Sequence, residues 1–455
     1  MSDLVIRHTW KDSARFVPRL VIQPLQRLMD NSIAGAAIML LATVIALVWA
    51  NSSLSSVYED FWGTKVTFAV GGFDTLSGID LRHWVNDGLM TLFFLLVSLE
   101  IKRELVSGHL SNLRDALMPV VAAIGGMIVP AVIFVVINKG GEGRHGWGIP
   151  MATDIVFAVA ILTLFGSRLP SALRVFLLTL AVADDLGAIA VIAVFYNDGI
   201  SVSWLGIAAG TIAAVAIFQR AHIRSLGVFI ILGAICWYAL LECGIHPTIA
   251  GVAFGLLTPA WSFYDPRQFA ARATSILGVF TRACEDGKLK KVENDDTQSA
   301  LRDIRRLSTE THSPLQRVEL HLASWVTFAV VPVFAFANAG VRLDWSALAN
   351  LPERPVLLGI VVGLVVGKPL GIVGALVIVQ ILGVRSIPAG ATWPQTTAVA
   401  MCGGIGFTVA LFVGELAYPP GALADDAKIA VLLASIIASL LSLLLLFSVT
   451  KSARR

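Results

Sequence analysis

Two adjacent carboxylates, Asp184 and Asp185, stand in the middle of the apolar run LTLAVADDLGAIAV (178–191). An ionised carboxylate at the centre of a bilayer costs at least ~2.5–3.5 kcal/mol on the most lenient scale, so a pair there needs a use or a neutralising partner. Neighbouring residues on a helix point about 100° apart; one is expected to be the primary ligand and the other its partner. Oxygen-only coordination suits a hard cation, with waters or carbonyls completing the shell. The same apolar setting favours the protonated carboxyl, so such a cation and protons would compete for one place. Opening that place to one side at a time turns the competition into exchange. Two more ionisable residues lie deep in apolar sequence, Asp154 and Lys368. Asp87, Glu100 and Glu415 lie nearer the ends of their runs, where solvated or structural roles suffice.

The elements that must position these groups are membrane spans. Of 455 residues 56% are hydrophobic and 14% charged, against about 25% charged in soluble domains. Windows of about 20 apolar residues, long enough for ~30 Å of hydrocarbon, fall near 33–50, 84–101, 116–138, 148–167, 173–196, 203–218, 226–241, 246–261, 320–341, 355–383, 394–416 and 427–449. The expected fold is therefore an all-α polytopic membrane protein of about twelve transmembrane helices. With the N-terminus inside, cytoplasmic segments carry 26 Lys and Arg against 7 outside, Lys368 lying within a span. The positive-inside rule then places both termini in the cytoplasm. One membrane domain results: a cytoplasmic N-terminal segment (1–31), spans one to eight (32–261), a cytoplasmic loop (262–318), spans nine to twelve (319–450) and a cytoplasmic C-terminus (451–455).

The 262–318 loop mixes basic residues with the acidic patches Glu285-Asp286 and 293–296. It reads as a partly disordered linker with a helix-like stretch around Leu301 to Leu307, or as a regulatory or lipid-contacting segment. The cysteines, Cys236, Cys243, Cys284 and Cys402, include no C-x-x-C pair and indicate neither zinc nor a disulfide framework. A net charge of +3 gives no case for nucleic acid. Gly367-Lys368 is followed by Pro369, not by the Ser or Thr of a phosphate-binding loop, so ATP is not expected to drive the cycle and no cofactor is expected beyond the transported Na+ or Li+ and H+.

Offsetting the chain by 250 residues aligns 151–162 with 401–412, with five identities in twelve. By the topology above, span four runs inward and span eleven outward, the relation of an inverted repeat. Both carry helix-interrupting chemistry at matching points: Ala152-Thr153-Asp154 after Pro150, and Gly403-Gly404-Ile405-Gly406. Each Gly costs about 1 kcal/mol relative to Ala in a helix. Two discontinuous helices would expose half-helix ends at membrane depth, each with roughly half a unit of charge. A carboxylate settles N-termini and a cation C-termini, so charge compensation is as good a reading of Asp154 and Lys368 as ion handling.

The motifs HWVNDGLMTLFFLLVSLEIKREL (83–105), GIPMATDIVFAVAILTLFGSRLP (148–170), LAVADDLGAIAVIAVFY (180–196), GIHPTIAGV (244–252), PVFAFANAGV (332–341), GKPLGI (367–372) and CGGIGFTVALF (402–412) together resemble the NhaA-type sodium/proton antiporter family. Inverted repeats and broken helices are a known architecture of that family, so here they are an expectation of the resemblance as well. By position the resemblance implies Asp185 as main sodium ligand, Asp184 as a neighbour able to pair with Lys368, and Thr153 with Asp154 at a broken-helix site. It associates His246, Glu319 and Gly406 with pH response. Pro247 after His246, the long loop before Glu319 and Ala323-Ser324 depart from the family's pattern, so the pH apparatus transfers least. The function implied is electrogenic, pH-regulated export of Na+ or Li+ for about two protons, by alternating access in a bacterial inner membrane and as a homodimer. A sodium-coupled organic anion symporter or a cation channel are the alternatives.

Overall fold

The structure, a computed structural model, describes residues 32–67, 69–70, 73–74, 78–197, 199–221, 226–285, 295–343, 353–383 and 387–452. The expected N-terminal segment 1–31, residues 453–455 and the middle of the long loop, 286–294, lie outside them. With no water in a bilayer, a spanning backbone must bond internally, and the apolar runs form helices. In order these are α1 (Ser32–Ala50), α2 (Ser55–Trp62), α3 (Met90–Ser107), α4 (Leu113–Ile137), α5 (Ile155–Phe165) and α6 (Ser171–Phe195). There follow α7 (Val202–Arg220), α8 (Leu226–Cys243), α9 (Thr248–Leu257), α10 (Pro266–Glu285), α11 (Asp295–Thr311) and α12 (Pro314–Trp325). The last six are α13 (Val331–Asn338), α14 (Pro355–Val362), α15 (Lys368–Ile381), α16 (Trp393–Cys402), α17 (Phe407–Ala417) and α18 (Ala422–Ser452). Among the described residues eight helices are long and apolar enough to cross a membrane, or nine if the pair α16 and α17, bent by 46°, is one span. The β-structure described is two short antiparallel pairings between α2 and α3, Lys65↔Asp80 with Val66↔Ile79 and Ala69↔Asp74 with Val70↔Phe73.

The ionisable residues are carried on packed, locally unwound helices. A π turn at Gly363–Gly367 joins α14 to α15 and delivers Lys368 as the first residue of α15; such turns recur at functional positions. A second π turn, Trp84–Leu89, leads into α3, where Asn86 and Asn338 exchange amide hydrogen bonds (Asn338 Nδ2 to Asn86 Oδ1, 2.7 Å) across to α13. At one end of the bundle the Tyr58 hydroxyl of α2 reaches the carbonyls of Phe336 (2.7 Å) and Ala337 (3.0 Å). Burial pushes that phenol above its usual pKa, which keeps it a donor.

Packing of α15 on α4 is what brings Lys368 into the core. The two backbones touch at Gly125 and Gly371: a Cβ on either would run into the carbonyl of the other. Small residues permit such close approach where helices pack in a membrane. Gly371→Ala should therefore cost about 1–3 kcal/mol and lower the thermal unfolding midpoint in detergent. Gly374→Ala, at a position facing open space, should leave it unchanged or raise it. Equal midpoints for the two variants would rule out the close approach.

Of the 262–318 segment, residues 262–285 and 295–318 are described. Helices α10 and α11 pack against each other. Phe263 N donates to Glu310 O (3.0 Å), joining the stretch ahead of α10 to the end of α11, and Leu315 N donates to Pro259 O (3.1 Å), joining α12 to the stretch after α9.

Candidate ion-binding site at the crossing of two chain breaks

Ahead of α5 the chain runs as tight 3-10 turns over Glu142–Met151 and then as extended backbone through Asp154. Gly143, Gly146, Gly148 and Pro150 explain the absence of an α-helix there, since Gly and Pro are its poorest formers. The glycines also leave room for two phenols. Side chains at Gly146 and Gly148 would strike Tyr418 and Tyr196, whose hydroxyls donate to the carbonyls of Gly143 and His145. The second interruption, Gly403 to Gly406, separates α16 from α17.

The two interruptions are stitched to each other. Asp154 N donates to Ile405 O (2.6 Å), and Thr153 Oγ1 donates to Gly403 O (2.9 Å). The Asp154 carboxylate then serves both helix starts: Oδ1 accepts from Phe157 N in α5 (3.1 Å), while Oδ2 accepts from Thr408 N (3.1 Å) and Thr408 Oγ1 (2.6 Å) in α17. One anion thus caps two N-terminal ends, where helix dipoles favour negative charge. Ser435 Oγ adds a third cap by accepting from Phe407 N (3.2 Å). At the opposite polarity, Lys368 Nζ donates to Met151 O, the carbonyl that ends the 3-10 run.

Lys368 Nζ also pairs with Asp184 Oδ2 at 2.6 Å, and both side chains are at most 1% exposed. Asp185 follows on the same helix, 4% exposed. Unlike Asp154, this pair is incompletely satisfied: Asp184 Oδ1 and Asp185 Oδ1 are buried with no hydrogen-bond partner. Buried polar atoms in folded proteins are nearly always paired. Two orphaned carboxylate oxygens on adjacent residues are therefore where a proton or a hard cation gains most.

The structure brings Thr153, Asp154, Asp184, Asp185 and Lys368 into this one region, and Gly406 forms its edge as the residue before α17. A Cβ on Gly406 would press on Ala410 (2.8 Å) and Leu364 (3.2 Å). His246 and Glu319 stand on other elements: His246 in the turn before α9, with its carbonyl accepting from Ile249 N (3.1 Å), and Glu319 on α12 in an ion pair with Arg103 of α3. Sequence reasoning missed Thr408 and Ser435. A hydroxyl two residues past a glycine cluster was the available sign of the first.

If Asp154 is first a double cap, Asp154→Ala should cost about 2–4 kcal/mol, at ~1–2 kcal/mol per lost cap, and Asp154→Asn, which keeps one acceptor oxygen, should cost less. Thermal unfolding of the purified variants measures both. An Ala variant as stable as the parent would sink the capping role.

A family profile described as Na+/H+ antiporter 1 matches residues 26–446. The chain belongs to the Na+/H+ antiporter 1 family. Among relatives of this antiporter family, the protein called Na(+)/H(+) antiporter NhaA 2 of Sorangium cellulosum is 44% identical over 438 residues, covering 96% of this chain and 92% of that one. The Na(+)/H(+) antiporter NhaA of Janthinobacterium sp. is 39% identical over 442 residues, covering 94% of each chain. The Na(+)/H(+) antiporter NhaA of Rhodopirellula baltica is 42% identical over 435 residues, covering 95% of this chain and 96% of its own. The Na+/H+ antiporter 1 match therefore takes in both interruptions, the paired aspartates and Lys368.

Proposed function

We propose that this protein exchanges Na+, or Li+, for protons across a bacterial inner membrane, with Asp185 as the exchange ligand and Asp184 as its proton-linked partner toward Lys368. The observation that carries this reading is the unpartnered Oδ1 on each of two buried adjacent aspartates, one of which, Asp184, is paired through its other oxygen with Lys368. A cation and a proton satisfy the same oxygens, so each excludes the other, and alternating access to the two sides makes the exclusion an antiport. Thr153, whose hydroxyl donates to Gly403 O at the same crossing, keeps its oxygen lone pairs to help complete a hard-cation shell.

Twelve spans are part of the proposal. To the nine helices or bent pairs of spanning length and composition it adds 81–107, which carries charges at one end, and the shorter α8 and α9. Spans four and eleven are taken as discontinuous helices related by inverted topology, with both termini cytoplasmic and two copies forming the working unit. Exchange of two protons for one Na+ moves one net charge, worth ~2.3 kcal/mol at 100 mV. At ~1.4 kcal/mol per tenfold that supports roughly a 50-fold Na+ gradient. Regulation by pH is assigned to the outlying groups His246 and Glu319, and to Gly406.

A symporter for an organic anion would need a buried cation to receive that anion. Among the described residues the buried basic side chain is Lys368, and it is already engaged by Asp184 and the Met151 carbonyl. The test is a pH-sensitive dye in everted vesicles, scanned over pH. Addition of Na+ or Li+ should dequench it and K+ should not. Sodium flux without any dye response would make the protein a channel, and a requirement for an organic co-substrate would make it a symporter.

A further inference from the structure

Away from the bundle core, four arginines converge on one cleft of about 340 Å3 lined by Arg302, Arg305, Arg306, Thr309, Glu310 and Arg317. Three come from α11, where residues 302, 305, 306 and 309 recur at the three- and four-residue spacing of one helix face; the fourth comes from α12. Glu310 Oε1 accepts from Arg306 Nε at 3.1 Å and offsets one of the four arginine charges, leaving three uncompensated among the lining residues. Like charges gathered this way repel one another, and Arg317 Nε is buried with no hydrogen-bond partner. A multivalent oxyanion would relieve both conditions, because guanidinium forks match phosphate oxygens in pairs.

We propose that this cleft binds a phosphate-bearing anion, supplied by the headgroup of an anionic phospholipid or by a soluble phosphate compound. The cleft lies at a span's edge: Arg317 is in the first turn of the apolar helix that begins at Pro314, the Leu315–Pro259 backbone bond ties that turn to the stretch after α9, and the Phe263–Glu310 bond ties the end of α11 to the same stretch. Trp261 and Phe263, in the stretch bonded to Glu310 and followed by α10, are exposed, and exposed aromatics of this kind mark the headgroup level of a membrane.

The experiment uses the full-length protein, the double variant Arg302→Gln/Arg305→Gln, and a control, Arg267→Gln/Arg282→Gln, that removes two exposed arginines from α10 outside the cleft. One arm reads the thermal shift given by pyrophosphate in detergent. The other counts phosphatidylglycerol retained by native mass spectrometry, after reconstitution in phosphatidylethanolamine with or without it. Each arginine near a charged headgroup is worth about fivefold, so the cleft variant should bind roughly 25-fold more weakly while the control stays within twofold of the parent. Loss confined to phosphatidylglycerol assigns the site to lipid; loss confined to pyrophosphate assigns it to a soluble anion. Absence of binding in both arms, or equal loss in the two double variants, overturns the proposal.

Discussion

Asp185→Asn is expected to abolish sodium-dependent proton movement in everted vesicles while the protein stays inserted and at least as stable as the parent. The two halves of that result come from the same atoms. Asparagine fits the same space but carries no charge, so it can neither trade a proton nor hold Na+ against the cost of dehydrating it. Stability should hold or rise because the variant removes a buried charge whose Oδ1 has no partner, and an uncompensated buried charge costs several kcal/mol. A ligand present at 100 times its dissociation constant stabilises by ~2.7 kcal/mol. The parent's unfolding midpoint should therefore climb with Na+ and that of the variant should not. Near-normal exchange by a stably inserted variant would remove Asp185 from the site. Loss of transport together with loss of stability would make it a structural residue like Asp154.

How far the sequence could lead is clearest at the two interruptions. The 250-residue offset matched Thr153 to Gly403, and those two residues are joined by a hydrogen bond. Charge compensation also followed from dipole arithmetic alone: Asp154 meets helix N-termini and Lys368 a carbonyl end. What an offset cannot supply is which atoms face each other. Thr408 sits in a run of apolar residues with no periodic mark of its own, and only the crossing places its hydroxyl and amide on Asp154. Ser435, the offset equivalent of Asp185, emerges as a cap for Phe407, a hydroxyl serving a helix end where Asp185 is a carboxylate. The π turn before Lys368 was hidden because Gly363 and Gly367 lie in an uninterrupted apolar run. The long loop read as a linker because its charges balance on average. Sorted by helix face, they gather Arg302, Arg305 and Arg306 on one side of α11.

Lys368→Ala should be the most destabilising single change at the site, by about 3–5 kcal/mol, the usual cost of breaking a buried ion pair from one side. It leaves Asp184 Oδ2 without its 2.6 Å partner and the Met151 carbonyl without its donor, both at buried residues. Neutralising both members in Lys368→Ala/Asp184→Asn should recover much of that loss, since the charge needing compensation goes with its counterion. The coupling between the two substitutions, read from the four unfolding midpoints, should fall at the upper end of the 0.5–3 kcal/mol usual for residues in contact. Additive effects would mean that the pair does not hold the site together. Transport by the double variant carries a second consequence. With Asp184 and Lys368 neutral, one proton at Asp185 balances one Na+, so any exchange that remains should run in proteoliposomes at the same rate with or without an imposed voltage. Exchange that still accelerates under voltage would place the second proton on another group, with Asp154, buried beside them and held by Thr408, the next carboxylate to replace.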